Sequence, residues 1–263
     1  MVAAALLQSE TWEAVDHALH IDWLAAFGSF FAWVLTLTVI FLLLRAVLSQ
    51  NRYRAHSVLD SADVKILEKE LHKAERKSVG EIVPVVLDRC DLYPQADWLA
   101  GLTFMVLGTA VMGSRLPWDQ PTWVVIVQLL MGCVGFACSR TLPDFKRLFI
   151  SGQRATRAVE ERAYREFFAL GLHKVEGAAG VLMLVSLQER RVVVVGDEGI
   201  HSAVDLDHWA KTGHSILEGL RRHSLRIGLT EAIRRTAEVF SEHFPWTDGE
   251  RTEVPHRVVV RST

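Results

Sequence analysis

AAGVLMLVSLQERRVVVVGDEGI, Ala178 to Ile200, is the stretch that decides the fold. Val181 to Leu187 is a continuous apolar run, Gln188 to Arg190 is polar, and Val192 to Val195 is β-branched throughout. That is the pattern of two adjacent strands joined by a tight turn and buried on both faces. Gly196, Asp197, Glu198 and Gly199 then place turn chemistry and two carboxylates at a strand end.

Upstream, Ser78 to Asp88, SVGEIVPVVLD, predicts a third strand entered through Gly80, with Pro84 marking an edge or a bulge. Before it, Ser61 is the expected N-cap of a helix that carries Val64, Leu67, Leu71 and Ala74 on one face. Downstream of residue 150 three more amphipathic helices are expected. Val159, Ala163, Phe167 and Leu170 mark one that closes at Gly171; Trp209, Ile216 and Leu220 mark the second; Leu229, Ile233, Ala237 and Phe240 mark the third, ended by Pro245. Strands interleaved with such helices predict an α/β (α+β) sandwich, a small mixed sheet with helices on both faces.

The chain as a whole is too apolar for a soluble enzyme of 263 residues: 50% of it is hydrophobic and its mean hydropathy is +0.19. Trp23 to Leu44 holds 22 residues without a charge, and Arg45, Arg52 and Arg54 follow, so residues 23–48 are expected to form a transmembrane helix with its C-terminal end inside. Trp98 to Ser114 and Gln120 to Ser139 are two further uncharged runs around a turn containing Pro117. They predict a transmembrane helical hairpin over residues 98–139, inserted into the soluble domain of residues 57–95 and 150–246. Arg115 alone lies in the turn, whereas Arg140, Lys146 and Arg147 flank the far end. The expected topology is therefore three spans in the inner (plasma) membrane, with the N-terminus outside and the soluble domain cytoplasmic. Residues 1–22 are read as an N-terminal extension and residues 247–263 as a flexible tail.

Several chemistries are disfavoured. A net charge of -2 gives no footprint for nucleic acid. Neither a Walker A loop nor a Gly-x-Gly-x-x-Gly after a strand is present, and Ser186 in LMLVSLQ lacks a nucleophile elbow. Cys90, Cys133 and Cys138 have no metal-ligand spacing. His201, His208 and His214 lack the i, i+4 pairing of a helical zinc motif. The membrane runs hold no interior acid or base of the kind an ion pathway needs. Gly108, Gly113, Gly132 and Gly135 instead allow close helix contact, for packing or self-association. Arg221, Arg222, Arg226, Arg234 and Arg235 form a basic surface suited to anionic lipid, an acidic partner or plain solvation.

The order of elements, with Gly80-Glu81-Ile82-Val83, Leu170-Gly171-Leu172, Gly180-Val181-Leu182, Ser186 to Val192, Asp197-Glu198-Gly199-Ile200 and the closing His243-Phe244-Pro245, resembles the TPM domain family. Some members of that family are described as acid phosphatases. Where its secreted members place an Asp-Asn-Gly type turn, this chain has Glu176-Gly177-Ala178-Ala179, and the resemblance fits better the membrane-anchored bacterial branch. Asp197, Glu198 and Asp205 are the candidate metal ligands, offering oxygens to Ca²⁺ or Mg²⁺; the same residues also satisfy ordinary turn and helix-start chemistry. Two functions follow as expectations. One is an interaction or accessory module for membrane proteins, partnered by the bilayer and a membrane protein. The other is a weak divalent-metal-dependent acid phosphatase.

Overall fold

The structure is a computed structural model, and it describes residues 53–76, 78–112, 121–175, 179–245 and 257–262. The expected span at 23–48 and the 1–22 extension lie outside the described residues. In chain order the elements are α1 (Ala55–Val58), α2 (Ser61–Glu75), β1 (Glu81–Leu87), α3 (Pro94–Met112), α4 (Pro121–Thr141), α5 (Pro143–Arg147), α6 (Gly152–Ala169), a 3₁₀ turn (Leu172–Lys174), β2 (Gly180–Ser186), β3 (Arg191–Gly196), α7 (Glu198–Ala203), α8 (Leu206–Arg221), α9 (Leu225–His243) and β4 (Val259–Arg261).

The sheet order is β3-β2-β1-β4. β1 pairs in parallel with β2, from Glu81 opposite Gly180 to Leu87 opposite Ser186, and β3 returns antiparallel to β2. The mixed sheet is the expected one. β2 is wholly buried, whereas β3 is an edge strand and only half-buried. The tail supplies a correction: Val259–Arg261, expected to be loose, pairs in parallel with Val85–Leu87 and completes the sheet. Three apolar or long residues are enough here because β1 already presents an unpaired edge.

That edge also explains Pro84. Successive N–H groups along β1 alternate between its two neighbours: Glu81 N donates to Ala179 O on the β2 side, and Ile82 N donates to the Glu75 carboxylate at 3.4 Å on the other. Pro84 falls on the outer side, one residue before β4 begins to pair at Val85. Its missing donor therefore costs no ladder bond.

Helices cover both faces of the sheet. Ile82, Val86, Val181, Met183 and Val185 pack under α2, α8 and α9 with Leu67, Leu71, Ile216, Leu229, Ile233 and Phe240. Val83, Val85, Leu182 and Leu184 pack under α6 with Val159, Ala163 and Phe167. The cap of α2 is Asp60, one residue before the expected Ser61, and Gly171 follows α6 in the left-handed conformation at φ 76 that favours glycine.

The inserted hairpin is formed by α3 and α4. Gly101, Gly108, Gly132 and Gly135 are turned toward the opposite helix of the hairpin; a Cβ on Gly135 would lie 2.7 Å from Ala100 O. These glycines serve the contact within the hairpin. Among the described residues, one helix segment, Val124–Thr141, is long and apolar enough to cross a membrane. Only 17% of that segment is buried, which sets it apart from a soluble core helix.

Gly80 gives a test of the packing. A Cβ there would stand 2.3 Å from two ring carbons of Phe240. Gly80→Ala is expected to destabilise the chain by about 1–3 kcal/mol, and by much less in a Phe240→Ala background, as measured by denaturant unfolding of the detergent-solubilised protein.

Candidate functional site

Parallel pairing of β1 and β2 gives the sheet two unlike ends. Open α/β sheets offer their crevice at the carboxyl ends of parallel strands. The residues expected to bind metal are at the other end: Asp197 N donates to Gly180 O at the amino end of β2, because β3 runs back against it. Asp197 is the N-cap of α7 and accepts from Glu198 N at 2.9 Å, Glu198 is exposed, and Asp205 is the exposed N-cap of α8 without a side-chain capping bond. Glu81 is buried at this same end. Among the described residues no three His, Cys, Asp or Glu side chains gather in a way that could hold a metal ion. His208 is held below the ordinary imidazole range, first by burial and then by Arg235, so it is neutral at pH 7.

The carboxyl end is more densely built. Ser186, the last residue of β2, is fully buried and donates to the Glu189 carboxylate, whose other oxygen accepts from Cys90 N at 3.1 Å. Tyr93 is buried beside them, and its phenol is pushed up by burial and by the Glu189 charge. On the α6 side Glu166 is 3% exposed and accepts from Arg162 at 2.8 Å and from Arg261 of β4 at 3.1 Å. The short tail strand thus delivers a cation to a buried carboxylate, which a free acid at that position requires. Cys90 lies in this cluster, but burial pushes its thiol up to about 12. Thiols of that kind are protonated and unreactive at neutral pH.

A second group joins the hairpin to the same end. Asp97, in the first turn of α3, is buried; its carboxylate accepts from Lys146 Nζ of α5 at 2.9 Å and from Ser139 Oγ of α4 at 2.6 Å. Three helices are thereby clasped at one point. Phe145 packs edge-on between Phe104 and Phe149 beside it. On the domain side of α5, Tyr53 donates to Asp144, and Arg190, in the β2–β3 turn, donates to the Tyr53 hydroxyl at 2.9 Å and pairs with Asp144 at 3.4 Å. Burial and Asp144 together raise the Tyr53 phenol. Ala55 N of α1 is held by the Asp88 carboxylate at 2.5 Å. A cavity of about 840 Å³ opens here, lined in part by Tyr53, Arg147, Leu187, Arg190 and Arg221.

The decisive comparison with known proteins covers this half of the chain. Residues 144–239 match the family model described as TPM domain. This part of the chain is similar to the TPM domain. The match runs from α5 through most of α9, and leaves β1 and the hairpin outside it. The NMR structure of the BA42 protein from the psychrophilic bacterium Bizionia argentinensis aligns over 78% of this chain and 95% of its own, at 17% identity and a TM-score of 0.48. None of the curated proteins matches the sequence.

The two groups at the carboxyl end of the sheet make separate predictions. Lys146→Met leaves the Asp97 carboxylate buried without its cation and is expected to cost about 3–5 kcal/mol, while Asp97→Leu combined with Lys146→Met recovers most of it in thermal unfolding. Cys90, by contrast, is expected to react with an aromatic disulfide reagent at pH 8 far more slowly than a free cysteine, and at the ordinary rate once the chain is unfolded. Thiol release followed in a Cys133→Ser, Cys138→Ser background checks it.

Proposed function

We propose that the chain is an integral membrane protein whose TPM domain stands on the cytoplasmic face at the base of the hairpin and serves as an interaction or accessory module for membrane proteins. The observation that carries this reading is the outer surface of the hairpin. Trp98, Leu102, Val106, Leu129 and Leu130 are all more than half exposed there, on helices whose inner faces are already packed through glycine. Contiguous apolar surface of this kind is covered by lipid or by another protein. The α4 helix, of 21 residues, is about 31 Å long, matching a hydrocarbon core of about 30 Å.

The charges support the orientation. Lys146 is held in its pair with Asp97, so Arg140 and Arg147 are the cations left to hold the hairpin base on the cytoplasmic side. The clasp through Asp97, Ser139 and Lys146, together with Arg190, Asp144 and Tyr53, couples the domain to its anchor through side chains as well as chain connectivity. A partner would then be met at a fixed height above the bilayer. Self-association would use the outward apolar face, because the hairpin glycines are engaged with each other. The metal-dependent phosphatase reading has less behind it, because among the described residues Asp197, Glu198 and Asp205 do not gather into one ligand set.

The full chain reconstituted into neutral phosphatidylcholine vesicles is expected to stay with the lipid through high salt and alkaline carbonate, assayed by flotation. Release into the aqueous fraction would refute the anchoring. Recovery of no specific membrane protein with the detergent-solubilised chain, under conditions that retain the fold, would count against the module.

A further inference from the structure

The cavity at the carboxyl end has a cationic lining. Arg147 of α5, Arg190 of the β2–β3 turn, and Arg221 and His223 at the end of α8 all line it, and among the described residues no acidic side chain does. Asp144 withdraws part of the Arg190 charge, but among the described residues Arg147 and Arg221 have no carboxylate partner. On neighbouring helices the pattern is the reverse. Arg222, Arg226, Arg234 and Arg235 are each paired, with Glu218, Asp63 and Glu231 respectively for the first three and Glu231 again for Arg235. The Arg147 and Arg221 guanidinium groups at the cavity thus contrast with these paired arginines close by.

Apart from Tyr53 and Ser57, the remaining wall is apolar. Val58, Leu187, Leu217, Leu220 and Leu225 supply it, from α1, the β2–β3 turn, α8 and α9. A volume of about 840 Å³ is in the range that holds a molecule of moderate size. A cationic rim over an aliphatic wall is complementary to an anionic amphiphile, and ill suited to a bare inorganic ion, which has no use for the aliphatic wall. The position adds to this. Arg147 lies six residues beyond Thr141, where α4 ends, a distance on the order of 10 Å along a helix, comparable with the depth of a headgroup layer.

We propose that this cavity is a binding site for an anionic phospholipid, its phosphate held among Arg147, Arg190, Arg221 and His223 and the upper part of its acyl chains against Val58, Leu217 and Leu220. The proposal rests on the membrane-anchored reading above. It adds that the TPM domain senses headgroup charge in the leaflet it stands on.

The test uses the full chain in nonionic detergent, titrated calorimetrically with short-chain phosphatidylglycerol, short-chain phosphatidylcholine and inorganic phosphate. Saturable binding of phosphatidylglycerol is expected, at least about fivefold tighter than phosphatidylcholine, with inorganic phosphate weaker still; the margin follows from roughly one cation's worth of surface attraction. Arg147→Gln with Arg221→Gln should weaken phosphatidylglycerol about 30-fold, two such increments. Arg147→Lys with Arg221→Lys should retain most of the binding, and Arg222→Gln, outside the cavity, should change nothing. Equal binding of the two lipids overturns the proposal, as does phosphate binding as tight as phosphatidylglycerol, which would make the site one for a free anion. An unchanged affinity in the double Gln variant overturns the assigned position. Because micelles contain no bilayer, these failures are distinct from release of the chain from carbonate-washed vesicles, which strikes the anchoring alone.

Discussion

The parallel pairing of β1 with β2 is the constraint on which the rest of this structure depends. Two strands that run side by side in one direction need a connection that leaves at their carboxyl end and re-enters at their amino end. Here that connection is everything between Leu87 and Gly180: the hairpin, α5 and α6. The hairpin is therefore attached at the carboxyl end, and α6 carries the chain back along one face of the sheet. The antiparallel return of β3 then brings Asp197 to the opposite end. One hydrogen-bonding pattern thus separates the acidic turn from the base of the hairpin.

Such a connection would be floppy if only chain held it. The structure closes it with contacts to two buried carboxylates: Asp97 with Lys146 and Ser139, and Glu166 with Arg162 and Arg261. Buried ion pairs add little net stability relative to apolar packing, but a broken one is costly, so they discriminate against misplaced arrangements. In both cases the carboxylate is on a helix and one cation, Lys146 or Arg261, comes from a segment far away in sequence. The pairs therefore act as registry marks for the hairpin base and for the final strand.

The strands of the central sheet were legible because their signal is local. The apolar run Val181 to Leu187 and the valines 192 to 195 can hardly be anything else, and the helix stripes ending at Gly171 and Pro245 were equally direct. The tail strand was not, since Val259 to Arg261 has too few residues to show a period and becomes a strand only against an edge formed by residues 85 to 87. The candidate site divides in the same way. Asp197 and Glu198 stood out as a pair of carboxylates at a strand end, but the sequence alone did not say at which end of the sheet that strand finished. Asp97, Ser139 and Lys146 looked like ordinary residues flanking apolar runs, because a contact between positions 42 or 49 residues apart leaves no pattern in the chain. Arg147, Arg190 and Arg221 are scattered for the same reason; of these only Arg221 was noticed as part of a basic surface.

The central claim is that the carboxyl end of the sheet, with the hairpin base, is the end that meets the bilayer. A nitroxide at Leu92→Cys, in the loop entering α3, and another at Glu198→Cys, across the roughly 20 Å length of β3, report on the two ends of the domain. With the three native cysteines replaced and the full chain in vesicles, relaxation by a lipid-soluble and by a water-soluble agent gives the depth of each label. The account predicts that the label at 92 lies in the headgroup layer and the label at 198 in water. Equal water exposure of both, or a label at 198 nearer the lipid, would contradict it.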